Sequence, residues 1–148
     1  VQTCALPISG ANLFLSIHHD ASTSSNAKGV STHYSTYRPL IDNEGLYVEY
    51  SNTWDGNVTY DSTPCDAAVK SKILAEKLAN SMASLGFDNR EAHDHNLYVT
   101  RNTITPSILI EAGFMTNDTE VKRVSKTEMQ KSIAQKIVDT LIDFFSKY

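Results

Sequence analysis

Five residues, Ser16-Ile17-His18-His19-Asp20, follow the apolar run Leu13-Phe14-Leu15 and place two imidazoles at the end of an oily segment. Zinc takes neutral imidazole readily, and catalytic zinc sites commonly use three protein ligands plus water. Adjacent residues on a strand point to opposite faces. At most one of His18 and His19 therefore enters a given site, and spacing alone does not say which. A second pattern is Ser107-Ile108-Leu109-Ile110-Glu111, a carboxylate after four strand-forming residues. A carboxylate at the edge of an apolar core loses solvation, and its pKa rises. A raised pKa suits a general base that takes a proton from metal-bound water and later returns it. Each pattern alone also fits an ordinary strand end, with polar histidines facing a loop and a first wet residue after a strand.

Other candidates are less specific. His33 follows on a second strand and either faces the same cleft, where it would touch substrate, or is a partly buried strand histidine. His93-Asp94-His95 has the spacing of a metal motif, since positions 93 and 95 of a strand share a face. Its polar surroundings read as an exposed loop without the rigid support a metal's inner ligands need. Arg101 is placed to steady a carboxylate or an acidic group of a substrate, or is a surface cation.

These residues need elements to hold them. Leu13–Ile17 reads as a buried strand and Gly29–Ser35 as a second, with Val30, Thr32 and Tyr34 alternating. The segment from Tyr37 to Pro64 reads as an irregular insertion, a lid or groove wall, with a short strand over Leu46–Tyr50. Pro64–Leu85 reads as a helix capped by Ser62 or Thr63 and ended at Gly86. Leu97–Thr100 reads as a short strand, and Asn117 with Glu120 as a capping box that opens a short helix. The last helix starts near Thr127 with Gln130 completing a second box, and buries Ile133, Ile137, Val138, Leu141, Ile142 and Phe145. Strands alternating with amphipathic helices predict an α/β fold, a mostly parallel twisted sheet flanked by helices in a single domain.

With 148 residues the chain is long enough for a real core, and 41% apolar with 20% charged residues is a globular composition. The net charge is −4 and no Lys/Arg run stands out, which argues against a nucleic-acid partner. No apolar stretch approaches the roughly 20 residues of a membrane span. Cys4 and Cys65 form neither a zinc-finger spacing nor a disulfide framework. The opening VQTCALPIS resembles a translated sequencing adapter, so residues 1–8 are read as a non-native leader and 9–148 as the native part.

ANLFLSIHHDAS, then GVSTHYST, then NLYVTRNTITPSILIEAGFMTNDTE together resemble the zinc-dependent N-acetylmuramoyl-L-alanine amidases of the type-3 family, from Gly10 to the terminal helix. The resemblance implies that His18 is a zinc ligand and Glu111 the catalytic glutamate, with Gly113, Phe114 and Asn117 in register with the family's motif. Arg101, His33 and Asn117 would then line the substrate. His19-Asp20 departs from the Ala-Asn that usually follows the family's histidine. A Gly-His turn and a helical glutamate, the family's other two ligands, have no counterpart before Ile17. The resemblance thus implies a partial catalytic domain that lacks its first strand and helix, a fragment with weak zinc binding and no useful turnover. It implies peptidoglycan as substrate, cleavage between N-acetylmuramic acid and L-alanine, and an extracellular or cell-envelope location. Rival readings are another zinc amidohydrolase or peptidase of the wall, or a noncatalytic wall-binding module using Trp54 and the tyrosines.

Overall fold

A computed structural model describes residues 10–50 and 56–148. The proposed leader over residues 1–8, Cys4 and Trp54 lie outside the described residues. Among the described residues six strands and four helices follow in order: β1 (Phe14–Asp20), β2 (Val30–Tyr34), β3 (Leu46–Tyr50), β4 (Asn57–Asp61), α1 (Asp66–Ala83), β5 (Asn89–Asp94), α2 (Tyr98–Arg101), β6 (Ser107–Phe114), α3 (Asp118–Val124) and α4 (Thr127–Phe145). The fold is mixed α/β. Its four-stranded sheet has the order β1-β6-β2-β5, and β3 pairs with β4 in a separate antiparallel ribbon.

The ladder ends give the strand directions. Phe14 N–H donates to Pro106 and Met115 N–H to Asp20, so β1 and β6 run parallel. Val30 N–H donates to Asp88 and His95 N–H to Tyr34, so β2 and β5 do too. The inner strands β6 and β2 are buried almost throughout, as parallel strands covered on both faces are. β1 is an edge strand, which corrects the expected buried segment: Ile17 is 56% exposed.

Three further expectations change. Within the segment from Tyr37 to Pro64 the expected strand over Leu46–Tyr50 is present, and it pairs with an unexpected second strand, Tyr47, Val48 and Tyr50 facing Tyr60, Thr59 and Asn57 in a ribbon of β-favouring residues. Leu97–Thr100 is no strand: Tyr98–Arg101 forms one helical turn, with Arg101 N–H bonded to Leu97. His93-Asp94-His95 is no exposed loop; β5 runs through Asp94, and His95 is buried.

By its internal contacts the chain divides into two compact units. Unit 1 takes in the described residues up to Ser16, His33–Ile73 and His93–Leu109. Its hub is Arg38, fully buried, whose guanidinium donates to the carbonyls of Ser35, Thr103 and Thr105 and to Ser71 Oγ. Unit 2 takes in Ile17–Thr32, Leu74–Ala92 and Ile110–Tyr148. Its core includes Leu74, Leu78, Met82, Ile110, Ile133, Ile137 and Phe144. Helix α4 is rotated from expectation: Ile133, Ile137, Thr140 and Phe144 are buried, while Val138, Ile142 and Phe145 are about half exposed or more. Thr127 is the first residue of α4 rather than its cap, and Gln130 donates to Val124 instead of closing a box.

Candidate active site

Unit 2 holds the carboxyl ends of β1 and β6, where open parallel sheets place their ligands. β6 is longer than expected. It continues through Ala112, Gly113 and Phe114, so Glu111 lies inside the strand rather than at its end. Counted from the Phe14–Pro106 bond, His18 comes level with Glu111; counted from Met115–Asp20, it falls one residue out of step. β6 therefore carries one residue more than β1 over this stretch. Gly113, at φ 104°, is the residue there whose backbone leaves the extended region, as a bulge requires. The ring of His19 marks the same place, its Nδ1–H donating to the Ala112 carbonyl at 2.9 Å. That bond assigns the His19 tautomer and ties the histidine segment to the peptide beside Glu111.

Burial within the strand raises the Glu111 pKa from 4.5 to about 7, and the Asp20 carboxylate adds to the rise. Among the described residues Glu111 Oε2, which is buried, has no hydrogen-bond partner. Unsatisfied buried carboxylate oxygens are costly, and a catalytic role is one of the reasons a fold keeps one. At neutral pH this group is poised between its two protonation states, which is the condition for accepting and returning a proton in one cycle. His18 is exposed at the end of β1.

The loop behind the bulge is held from below. Glu120 on α3 is buried, and its two oxygens accept the N–H groups of Gly29 and Phe114 at 2.8 and 2.7 Å. A side chain at Gly113 would stand 3.3 Å from Glu120 Oε2. The expected capping box is half present. Asn117 Oδ1 does accept from Thr119 and Glu120 N–H, but Glu120 reaches to Gly29 and Phe114 instead of back to Asn117. Asn117 Nδ2 donates to the Ser25 carbonyl, so both ends of this amide serve the backbone.

His18, Asp20, Glu111 and Asn117 belong to unit 2, and His33 and Arg101 to unit 1. His33, expected either to face the cleft or to be a partly buried strand histidine, has a buried ring, 8% exposed, whose Nδ1 lies 3.0 Å from His95 Nδ1. Arg101 ends α2, with its guanidinium 6.0 Å from the Tyr98 ring centre. Sequence reading passed over Asp20 and the long reach of Glu120. Asp20 carried a signal, an acidic residue two positions after His18 on the same strand face. Glu120 carried none beyond the box pattern.

Among the described residues no three His, Cys, Asp or Glu side chains are grouped to hold a metal ion. Among those residues a zinc ion would find the imidazole of His18 as one donor, and not the three donors of a zinc centre. Among those residues no helix is long and apolar enough to cross a membrane.

The sequence pattern of a family described as N-acetylmuramoyl-L-alanine amidase matches residues 5–143. The N-acetylmuramoyl-L-alanine amidase LytC of Bacillus subtilis is 29% identical over 136 residues, 91% of this chain and 22% of that protein. The probable cell wall amidase LytH of Staphylococcus epidermidis is 28% identical over 133 residues, 90% of this chain and 35% of the relative. Among solved structures, an N-acetylmuramoyl-L-alanine amidase from Clostridium difficile superposes with a TM-score of 0.71 at 23% identity, covering 97% of this chain and 63% of that one. The CwlD amidase of Clostridioides difficile, solved with the GerS lipoprotein, gives 0.72 at 23% identity over 99% of this chain and 60% of its own. The chain thus spans about a third or less of these curated relatives. The structural likenesses establish the fold.

Proposed function

We propose, from the premise that this chain belongs to the N-acetylmuramoyl-L-alanine amidase family and in place of the expected fragment without useful turnover, that it hydrolyses the amide joining the lactyl group of N-acetylmuramic acid to L-alanine in peptidoglycan. The observation that carries the reading is the orphaned Glu111 Oε2 on a carboxyl whose pKa is raised to about 7.

The chemistry asked of Glu111 follows from that state. As carboxylate it takes a proton from a water attacking the scissile carbonyl, and the new C–O bond forms. As carboxylic acid it gives the proton to the amide nitrogen, the C–N bond breaks, and alanine leaves with a free amine. Burial, with the Asp20 carboxylate adding to it, keeps the proton affinity of Glu111 high enough for the second step. His19, tied to the Ala112 carbonyl, fixes the strand end on which His18 stands. Zinc is the cofactor the family implies, and His18 is the residue of this chain that we assign to it. Arg101 is proposed to meet an acidic group of the peptide stem. The substrate implies action outside the cytoplasm, at the cell envelope.

The test is digestion of insoluble peptidoglycan by the chain, with and without added zinc, against Glu111→Gln. New amino-terminal alanine should appear with the unaltered protein and not with the variant. Soluble fragments that keep the muramoyl–alanine bond, or a variant as active as its parent, would sink the proposal.

A further inference from the structure

Unit 1 contains a group of three imidazoles that the proposed chemistry does not use. His33 on β2, His93 on β5 and His95 just past its end lie with ring centres 5.0 to 5.5 Å apart and planes within 30° of one another. His33 and His95 are buried. Their Nδ1 atoms are 3.0 Å apart, so one nitrogen donates and the other accepts. Such a bond tolerates two neutral rings, or one neutral and one cationic. It fails when both rings are cationic, because each Nδ1 then carries a proton and neither can accept. The pair sits at the end of the β2–β5 ladder, where His95 N–H donates to the Tyr34 carbonyl at 2.9 Å.

We propose that the His33–His95 pair, with His93 beside it, is an acid-sensitive latch: a single shared proton closes the end of the β2–β5 ladder, and a second positive charge opens it. The groups acting on His33 favour this outcome. Burial, then His95, then His93 all disfavour its cation, lowering its pKa from 6.5 to about 3. Asp94 stands between His93 and His95 in the sequence, and its side chain is turned to Thr36. Its carboxylate accepts the N–H and hydroxyl of Thr36, and the charges acting on it are Lys72 and Arg38. Arg38 in turn feels Cys65 and Asp94. Closed, the latch excludes a proton that a free imidazole would bind below pH 6.5. The open form of this ladder end should therefore grow about tenfold for each pH unit below that value. The inference stands apart from catalysis and holds whether or not the chain cleaves an amide.

Amide hydrogen exchange of the full chain in EDTA, corrected for the intrinsic rate at each pH, reads the latch through peptides covering Tyr34 and His95. Between pH 7 and 5 the open fraction should rise by about 25-fold, nearly all of it below pH 6.5. In His95→Gln, which keeps a hydrogen-bonding side chain but cannot become cationic, the rise should shrink to a few-fold. Equal protection at pH 7 and 5, or an undiminished slope in the variant, overturns the proposal. Should His95→Gln not fold, ring carbon shifts of His33 in the unaltered protein decide. A midpoint well below 6.5 is expected, and a midpoint at or above it overturns the latch.

Discussion

Glu111 in unit 2 and His33 in unit 1 are both strand residues whose burial works against their charge, and the structure treats them differently. His33 has a partner, the Nδ1 of His95, that satisfies its neutral form. Glu111 has an oxygen with no hydrogen-bond partner among the described residues. A satisfied buried group is inert at neutral pH and contributes to the specificity of the fold. An unsatisfied one near pKa 7 is a reagent held ready, maintained at a cost to stability. Their effects on stability run in opposite directions with pH. Folding lowers the pKa of His33, so its contribution is whole above 6.5 and is lost as pH falls toward 3. Folding raises the pKa of Glu111, so its cost is absent below 4.5 and grows as pH rises toward 7.

The largest expected effect breaks the comparison on the reactive side. Glu111→Gln should lower amide hydrolysis by about 10²- to 10⁴-fold, the usual worth of a positioned proton-transfer group, while far-ultraviolet circular dichroism stays unchanged. The same variant should be more stable above pH 7 by about 1–2 kcal/mol, a figure reduced from the full shift because Glu111 is only half buried. It should also expose the His33 slope. Between pH 4.5 and 6.5 the two contributions oppose each other in the parent, whose urea midpoint should vary little, whereas the midpoint of the variant should fall with acid. A midpoint with the same pH dependence in both proteins would show that Glu111 ionises normally.

Next in size are the two structural hubs. Arg38→Ala in unit 1 removes donors from three carbonyls and a buried hydroxyl and should cost about 3–5 kcal/mol. Glu120→Ala in unit 2 strands the Gly29 and Phe114 N–H groups and should cost about 2–4 kcal/mol. Denaturant titration measures both. The second variant should also lower turnover, since Phe114 follows the bulge next to Glu111. A Glu120→Ala protein with parental turnover would separate the bulge from the catalytic geometry.

Much of this architecture was legible in the sequence, for reasons that differ by element. SILIE and GVSTHYS announced the two inner strands because both of their faces are covered, which leaves uninterrupted or tightly alternating apolar runs. β5 was missed because Asn89-Arg90-Glu91-Ala92-His93-Asp94 is an edge strand of polar residues, held by backbone bonds and the histidine cluster rather than by an apolar face. Helix α4 has apolar residues on two adjoining faces, so periodicity gave the helix but not the face that is buried. At the site, burial at Glu111 was foreseen and raises its pKa, yet the strand's continuation to Phe114 was hidden by Gly113, which reads as a stop and serves as a bulge. The roles of Arg38 and Glu120 depend on partners distant in sequence, and no local pattern marks them.

Asn117 offers the smallest effect and the finest distinction, because the motif resemblance makes it a substrate contact while its hydrogen bonds make it a cap. Asn117→Ala removes the acceptor for Thr119 and Glu120 N–H and the donor to Ser25, and should cost about 1 kcal/mol. Asn117→Asp keeps the cap and adds a negative charge where a helix start favours one, losing only the Ser25 bond. If the amide serves the fold alone, the aspartate variant should match the parent within about 0.5 kcal/mol and leave KM unchanged. If it also touches the glycan or peptide, KM should rise in the aspartate variant while stability holds. That split is one a purely structural residue cannot produce, since the cap survives in the protein whose substrate binding has failed.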